Sequence, residues 1–404
     1  MAQDAVTTGG TRRGVVVTVL GLLQILSWGS TFYLLAVLAK PITAETGWAY
    51  DRVMGGLALG LLVAGTVSPR VGRSIARYGG RVVLPCGVIL LASGLALIGT
   101  AHDFAIYLAG WAIAGAGMGA GLYDSAFATL GSLYGKSARS AITAVTLFGG
   151  FASTVCWPFS AFLVEHFGWR ATCLTYAGLH LCIGLPLYLT VIPTLRRDST
   201  ADPSDAAAPA AALLPNERSV FVVLAAVLTI AAAILSLIGS QLVTLLQGSG
   251  LALAQAVALG MIIGPMQVGA RFIEMLAGSR YHPIWTMVAS ATTVCCGVSL
   301  LFAGPRVFAV AIALYAAGNG IGSIAKGTLP MALFGAARYP VLVGKLALPI
   351  LCAMALSPYL GALCLQLGGV KATIAFVSGL ALINIALVGV LFTLARGKPA
   401  KGGP

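Results

Sequence analysis

Twelve apolar stretches dominate this 404-residue chain, and each is long enough to form a helix across a lipid bilayer, which takes about 20 residues. Apolar residues make up 59% of the chain and charged residues 9%, against roughly 45 to 50% and about 25% in soluble domains. These features predict an all-α membrane protein with twelve transmembrane helices. The predicted helices, called spans 1 to 12, cover residues 14–40, 52–72, 82–101, 104–133, 139–166, 170–192, 219–246, 252–277, 284–303, 306–333, 339–367 and 371–395.

A polar interruption divides the twelve spans into two sets of six. It contains Arg196, Arg197 and Asp198 and a run of Ala and Pro, which offers no apolar face to bury. We therefore expect a flexible cytoplasmic linker. The predicted organisation is a cytoplasmic N-terminal tail (1–13), a six-helix bundle (14–192), the linker (193–218), a second six-helix bundle (219–395) and a cytoplasmic tail (396–404).

The second set of spans is an approximate copy of the first. The tripeptide 58–60 recurs as 258–260, and Pro158 recurs as Pro358, both at an offset of 200 residues. The tripeptide 86–88 recurs as 296–298 at an offset of 210. Membrane proteins with such repeats often rock one half against the other around a central site. The duplication therefore predicts a transporter.

The basic residues follow a membrane topology. The formal net charge is +13, which by itself is compatible with a nucleic-acid partner. With both termini inside, sixteen Lys and Arg residues fall on the cytoplasmic side and five in the outer loops, as the positive-inside rule predicts. We expect a multi-pass protein of the plasma membrane, or bacterial inner membrane, with both termini cytoplasmic and with no nucleic-acid partner.

Two local motifs resemble those of a known transporter family. The loop after span 2, at residues 72–81, is similar to the Gly-x-x-x-Asp-Arg-x-Gly-Arg-Arg loop of the major facilitator superfamily. Residues 111–119 in span 4 are similar to that family's Arg-x-x-x-Gly-x-Gly-x-Gly. Ala76 stands where the family has an acid thought to latch the outward-open state, and Trp111 stands where it has an Arg implicated in proton coupling. With the two six-helix repeats and the linker, the resemblance covers nearly the whole chain.

The resemblance implies a secondary active transporter that moves a small organic solute by alternating access. In this fold, spans 1, 4, 7 and 10 would line a central cavity. Span 10 carries polar residues on one helical face, namely Tyr315, Asn319, Ser323 and Lys326. Ionisable groups inside a span mark functional sites, because burial without a partner costs at least roughly 2.5 to 3.5 kcal/mol. Asp124 in span 4 lies at a similar depth and is the candidate partner of Lys326. A structural ion pair and a pair that opens on substrate or proton binding both remain open.

Spans 1 and 7 supply the other candidate cavity residues. Span 1 presents Gln24, Trp28 and Thr31 on one face, and span 7 presents Ser240 and Thr244 on another. Hydroxyls in membrane helices also hydrogen-bond neighbouring helices or their own backbone, so helix packing is the alternative role for the Ser and Thr residues. The amide of Gln24 requires hydrogen-bond partners wherever it lies.

Four residues near the cytoplasmic ends of spans are candidates for a gate. Arg271 and Glu274 in span 8 are three residues apart, within pairing distance on a helix, and Arg77 and Arg81 belong to the loop after span 2. Arg271 is also a candidate ligand for an anionic substrate, because a guanidinium group binds a carboxylate through two hydrogen bonds.

Lys326 and Arg271 favour an organic anion, such as a monocarboxylate, as the substrate. Asp124 is the candidate for proton coupling, and facilitated diffusion without a coupling ion remains an alternative. A drug or metabolite efflux antiporter and a non-transporting membrane sensor with the same fold remain alternatives. No enzymatic activity, cofactor or metal site is expected, because no nucleophile, base and orienting group can be assembled and the four histidines lack metal-ligand spacing. The expected partners are a small-molecule substrate, protons and the lipid bilayer, and the expected state is a monomer.

Overall fold

The computed structural model describes residues 2–194, 213, 215–277 and 280–396. Within those ranges the chain forms helices and short connections, without any strand. Contacts divide it into two compact units. The first unit holds the described residues before position 195 together with Ala336–Leu348, and the second holds the rest. Most of the predicted linker, and the C-terminal tail beyond Arg396, lie outside the described residues.

Nine helices lie in the first unit before residue 195, among the described residues. Spans 1, 4, 5 and 6 are each interrupted, and one helix continues from span 5 into span 6, so six predicted spans yield nine helices. A π-helical turn, His180–Gly184, lies between the last two of them. The helices are α1 (Ala2–Gly29), α2 (Leu35–Thr46), α3 (Tyr50–Tyr78), α4 (Gly80–Gly99), α5 (Phe104–Gly121), α6 (Tyr123–Tyr134), α7 (Ala138–Gly149), α8 (Ala152–Leu179) and α9 (Leu185–Val191).

Six helices follow in the rest of the described chain. The last of them begins among residues that cluster with the first unit and continues into the second. The helices are α10 (Pro215–Gly248), α11 (Leu253–Gly260), α12 (Ile263–Ala277), α13 (Pro283–Leu300), α14 (Phe308–Phe334) and α15 (Tyr339–Arg396).

The helices have the length and composition of membrane spans. Nine helical stretches within the described ranges are long and apolar enough to cross a bilayer. Two of these, Ala138–Val191 and Tyr339–Arg396, each contain a glycine with a non-helical backbone. Gly168 has φ 79° and Gly369 has φ 69°, values that residues with a Cβ rarely adopt. The predicted all-α membrane fold is confirmed, and these breaks are consistent with twelve spans.

Glycines allow pairs of helices in each unit to pack backbone against backbone. A Cβ on Gly94 of α4 would lie 2.7 Å from Ala114 Cα of α5. In the second unit, a Cβ on Gly297 of α13 would lie 2.9 Å from Tyr315 Cα of α14. The two helix pairs correspond to spans 3 and 4 and to spans 9 and 10. Small residues permit this close approach inside a membrane, where packing replaces the hydrophobic effect between helices.

Candidate functional site

Span 4 is interrupted beside its acidic residue. Leu122 separates α5 from α6 with an extended backbone (ψ −170°), which removes some of the backbone hydrogen bonds of a continuous helix. Side chains compensate two of the freed carbonyl groups: Ser125 Oγ donates to Gly119 O at 2.7 Å, and Gln24 Nε2 donates to Gly121 O at 2.8 Å. The predicted site residue Gln24 therefore joins span 1 to the interruption in span 4.

Asp124 lies in the first turn of α6, directly after this interruption. The positive end of a helix dipole stabilises a negative charge at that position. The start of α15 approaches the same region, where Tyr339 is fully buried, packs against Gly131, and lies within electrostatic range of the Asp124 carboxylate. Tyr339 could not be identified from the sequence, because nothing in the pattern around Tyr339 places it beside span 4.

A small cavity adjoins Asp124 within the first unit. Its volume is about 10 Å³, which is close to the minimum that holds one water molecule. We call it the Asp124 cavity. Its lining residues come from α3, α5, α6 and α15 and are Ser68, Val71, Gly72, Ile75, Gly119, Asp124, Ser125, Ala128, Pro340 and Gly344.

The α3 and α15 backbones touch beside this cavity. A Cβ on Gly72 would lie 3.2 Å from Gly344 Cα, and a Cβ on Gly344 would lie 2.5 Å from Ser68 O. Gly72 belongs to the loop motif recognised in the sequence, and its smallness permits this approach. Ser68 and Gly344 were missed, although Ser68 lies one helical turn before Gly72.

Span 1 is interrupted at residues 30–34, near its middle. Ser27 O accepts hydrogen bonds from Thr31 Oγ1 at 2.5 Å and from Ser30 Oγ at 3.4 Å, while the Thr31 N–H bonds to Trp28 O at 3.4 Å. Such hydroxyl groups compete with the helical N–H groups for backbone carbonyls. The predicted site residue Thr31 therefore helps to form the interruption, and its hydroxyl proton is used within span 1.

The π-helical turn of span 6 lies against this interruption. His180 Nε2 is 2.8 Å from Ser30 Oγ, and both side chains are buried. π-Helical turns occur frequently at functional sites. His180 has no role predicted from the sequence, because the spacing of the histidines matches no metal site. Hydropathy also does not show which span His180 contacts.

An aromatic cluster surrounds the predicted site residue Trp28. The Trp28 ring centroid lies 5.5 Å from that of Phe32 and 5.0 Å from that of Tyr123. Tyr33 and Trp157 extend the cluster, with ring centroids 5.9 Å apart. Trp28 Nε1 is buried, and no hydrogen-bond partner for it is found in the described ranges. The rings of the cluster pack edge-on or tilted against one another next to the interruption in span 1.

The predicted polar face of span 10 lies on α14 in the second unit. Tyr315 is buried and its hydroxyl donates to Leu235 O at 3.4 Å. Asn319 Nδ2 is buried and has no hydrogen-bond partner in the part of the chain that the structure describes. Ser323 Oγ donates to Gly320 O at 2.7 Å. Lys326 lies one turn further along and is partly buried.

Arg271 reaches this same face from α12. Its side chain is 7% exposed and Nε donates to Gly320 O at 3.2 Å, the carbonyl that also accepts from Ser323. Glu274 Oε1 accepts from Thr286 Oγ1 at 2.7 Å. The structure thus brings Arg271 to the polar face of span 10 and places Glu274 against α13.

The remaining predicted residues are more accessible. Ser240 Oγ donates to Leu237 O at 3.0 Å within α10, and Thr244 is exposed. Arg77 is exposed, with its guanidinium 5.2 Å from the Tyr78 ring centroid, and Arg81 is partly buried. Asp124 belongs to the first unit, whereas Lys326 belongs to the second. Across the described residues, no group of three or more His, Cys, Asp or Glu side chains forms a metal-binding cluster.

The family comparison agrees with this helical architecture. The family model of the Major Facilitator Superfamily matches residues 20–325. The match spans most of the chain, which therefore belongs to the Major Facilitator Superfamily, a family of membrane transporters. The resemblance predicted from the sequence is confirmed.

Solved transporter structures share the fold. The human organic anion transporter MFSD10 (TETRAN) has a TM-score of 0.75 at 17% identity, with 93% of this chain and 99% of that chain covered. A variant of the E. coli fucose:proton symporter FucP has a TM-score of 0.70 at 17% identity, with 94% and 97% covered. FucP in the outward conformation has a TM-score of 0.69 at 17% identity, with the same coverage of 94% and 97%. No curated protein sequence shows significant similarity to this chain.

Proposed function

We propose that this protein is a secondary active transporter that moves a small organic anion, such as a monocarboxylate, by alternating access. It acts as a monomer in the plasma membrane, or bacterial inner membrane, with both termini cytoplasmic. Membership of a transporter family supports the mode of action. An organic anion transporter and a proton symporter both occur among the solved structures with this fold, so the fold accommodates both parts of the proposal.

The proposal that the substrate is an organic anion rests on Arg271. A guanidinium group that is 7% exposed in an apolar helix is costly unless it is well compensated. Its five N–H donors match the geometry of a carboxylate, and its contact with Gly320 O brings it to the face that carries Asn319 and Ser323. Lys326, on the same helix as Asn319 and Ser323, adds a second positive charge. Asn319 Nδ2 is a further donor that a carboxylate oxygen would satisfy.

The proposal that transport is coupled to protons rests on Asp124. In this mechanism the ionised carboxylate pairs with Lys326, and protonation weakens that pair so that the two halves separate. The interruption at Leu122 supports this role, because it places Asp124 at a helix N-terminus that favours its charge. Trp111 stands where the family has its coupling Arg, so Asp124 is the carboxylate available in a cavity-lining span.

A ligand screen on purified protein tests the substrate class. A ligand that binds the folded state raises the apparent melting temperature, so short monocarboxylates are expected to raise it and the matched primary amines are not. Arg271→Gln should abolish the response to carboxylates, whereas Arg306→Gln, at an exposed position in an outer loop, should retain it. Stabilisation confined to amines or uncharged lipophiles would reject an anionic substrate.

A further inference from the structure

Three of the residues that line the Asp124 cavity have side chains with oxygen atoms. Ser68, Asp124 and Ser125 supply its polar side chains, and the other lining residues are apolar, glycine or proline. An ionised carboxylate only accepts. Whether the two hydroxyl groups donate into the cavity therefore decides what it can hold.

Both hydroxyl protons are already used. Ser68 Oγ donates to Ala64 O at 2.6 Å, and Ser125 Oγ donates to Gly119 O at 2.7 Å. A serine hydroxyl has one proton and two lone pairs, so each Oγ presents only lone pairs in its remaining directions. The polar side chains of the cavity thus offer electron pairs and no proton, which suits a small hard cation.

The size and position of the cavity also suit a small cation. A volume of about 10 Å³ holds about one water-sized particle and excludes an organic solute. The N-terminus of α6 favours the ionised form of Asp124, which is the form that ligates a metal ion. The interruption at Leu122 places Asp124 and Ser125 side by side in the first turn of α6.

We propose that the Asp124 cavity binds one sodium ion through the Asp124 carboxylate and the Oγ atoms of Ser68 and Ser125. The proposal rests on the coupling role proposed for Asp124 and deepens it, because sodium and a proton then exclude each other at this carboxylate. Pro340 and Gly344 close one side of the cavity. The site is therefore complete only while the start of α15 packs against α3, which links sodium occupancy to that helix contact.

The test compares the melting temperature of the purified full chain in NaCl, KCl and choline chloride at one ionic strength. NaCl is expected to raise the melting temperature of the wild type in a saturable way. Ser68→Ala and Ser125→Ala should each weaken the apparent sodium affinity at least tenfold, and Asp124→Asn should abolish the response. Equal melting temperatures of the wild type in the three salts would overturn the proposal.

Ser357→Ala is the matched control for Ser68→Ala. Ser357 Oγ also donates to the carbonyl four residues earlier, Ala353 O at 2.5 Å, and is buried, but it belongs to the second unit and does not line the cavity. This variant should keep the sodium response of the wild type. If it loses the response as strongly as Ser68→Ala, the effect comes from helix stability and the site is wrong.

Two further measurements distinguish loss of the sodium site from loss of folding and from failure of the proposed coupling role. Ser125→Thr retains the hydroxyl oxygen, so equilibrium binding of radioactive ²²Na⁺ should persist in this variant even if Ser125→Ala does not fold. Undiminished ²²Na⁺ binding by Ser68→Ala and Asp124→Asn would place sodium elsewhere and reject the site. Uptake driven by a pH gradient reports separately on the proposed function. If that uptake requires Asp124 while the wild type binds no sodium, the coupling role stands and the sodium site fails.

Discussion

Ser125 and Gln24 show how single side chains maintain an interrupted membrane helix. A carbonyl group without a hydrogen bond inside a bilayer costs several kcal/mol, and these two side chains donate to two carbonyls beside the break at Leu122. Each residue is therefore tied to the geometry that positions Asp124. Substitutions here act on the site through the backbone as well as through lost chemistry.

Asp124→Asn is predicted to abolish substrate accumulation driven by a pH gradient while leaving substrate exchange measurable. Asn keeps the shape of the side chain but cannot take up a proton, and exchange requires no net proton movement. The measurement is uptake by proteoliposomes with and without an imposed gradient. Asp103→Asn is the matched control, because Asp103 caps α5 through a bond to the Ile106 N–H and Asn caps helices equally well. Wild-type accumulation by Asp124→Asn would rule out the coupling role.

The residues of the candidate site differ in how far the sequence reveals them. Asp124, Lys326 and Arg271 could be identified because charges are rare in apolar spans. Ser68, Tyr339 and Gly344 could not, since each has an ordinary residue type for its helix and gains its position only when α15 packs against α3. His180 had no predicted role, because its spacing matches no metal site and its contact with Ser30 joins residues 150 positions apart.

At the scale of helices, hydropathy predicted where the spans lie but not where they break. Apolar character continues through Leu122 and through residues 30–34, so a hydropathy pattern treats spans 1 and 4 as continuous. At both interruptions, hydroxyl groups take backbone carbonyls. These are local hydrogen-bond choices, and tertiary contacts such as that of Gln24 decide them.

Gly344→Ala is predicted to destabilise the protein by about 1–3 kcal/mol, the usual range for overpacking. The new Cβ would lie 2.5 Å from Ser68 O and 3.1 Å from Gly72 Cα, so α15 must move away from α3. Thermal unfolding in detergent measures the effect. Gly239→Ala is the control, because nothing lies within 4 Å of a Cβ there, and Ala in a helix is favoured over Gly by roughly 0.8–1.0 kcal/mol. Equal stability changes for the two variants would contradict the tight α3–α15 contact.

At the scale of the whole molecule, the sequence predicts a duplicated six-helix design with asymmetric charge. The basic residues concentrate on one side of the predicted membrane topology, and the two units are compact by separate sets of contacts. Alternating access requires that such units move as bodies. The proposed orientation and the proposed pairing of Asp124 with Lys326 are both properties at this scale.

Orientation is tested by labelling intact cells with a membrane-impermeant thiol reagent. Asp205→Cys, in the predicted cytoplasmic linker, should react only after the membrane is made permeable, because the positive-inside rule places that side in the cytoplasm. Arg306→Cys, in a predicted outer loop, should react without permeabilisation. Mass spectrometry at the two sites distinguishes them from the native cysteines. The reverse labelling pattern would invert the proposed topology.

Coupling between the two halves is tested by a double-mutant cycle. Asp124→Asn and Lys326→Gln are each predicted to impair transport, and the two effects should combine by less than their sum, because the second change removes a partner already lost. The charge-swapped variant, with Asp124→Lys and Lys326→Asp, should recover folding as judged by thermal unfolding. Strictly additive effects on transport would show that the two residues act independently.

The glycines with positive φ carry a consequence for the mutational history of the chain. Gly135 and Gly335 end span 4 and span 10, and Gly168 and Gly369 break α8 and α15, so both halves require a positive φ at similar places. Every single-base change in a first or second codon position of Gly introduces a side chain or a stop. We therefore expect these four positions to tolerate substitution poorly, because each replacement must adopt a backbone angle that residues with a Cβ rarely take. The places where the chain changes direction then constrain both halves in the same way.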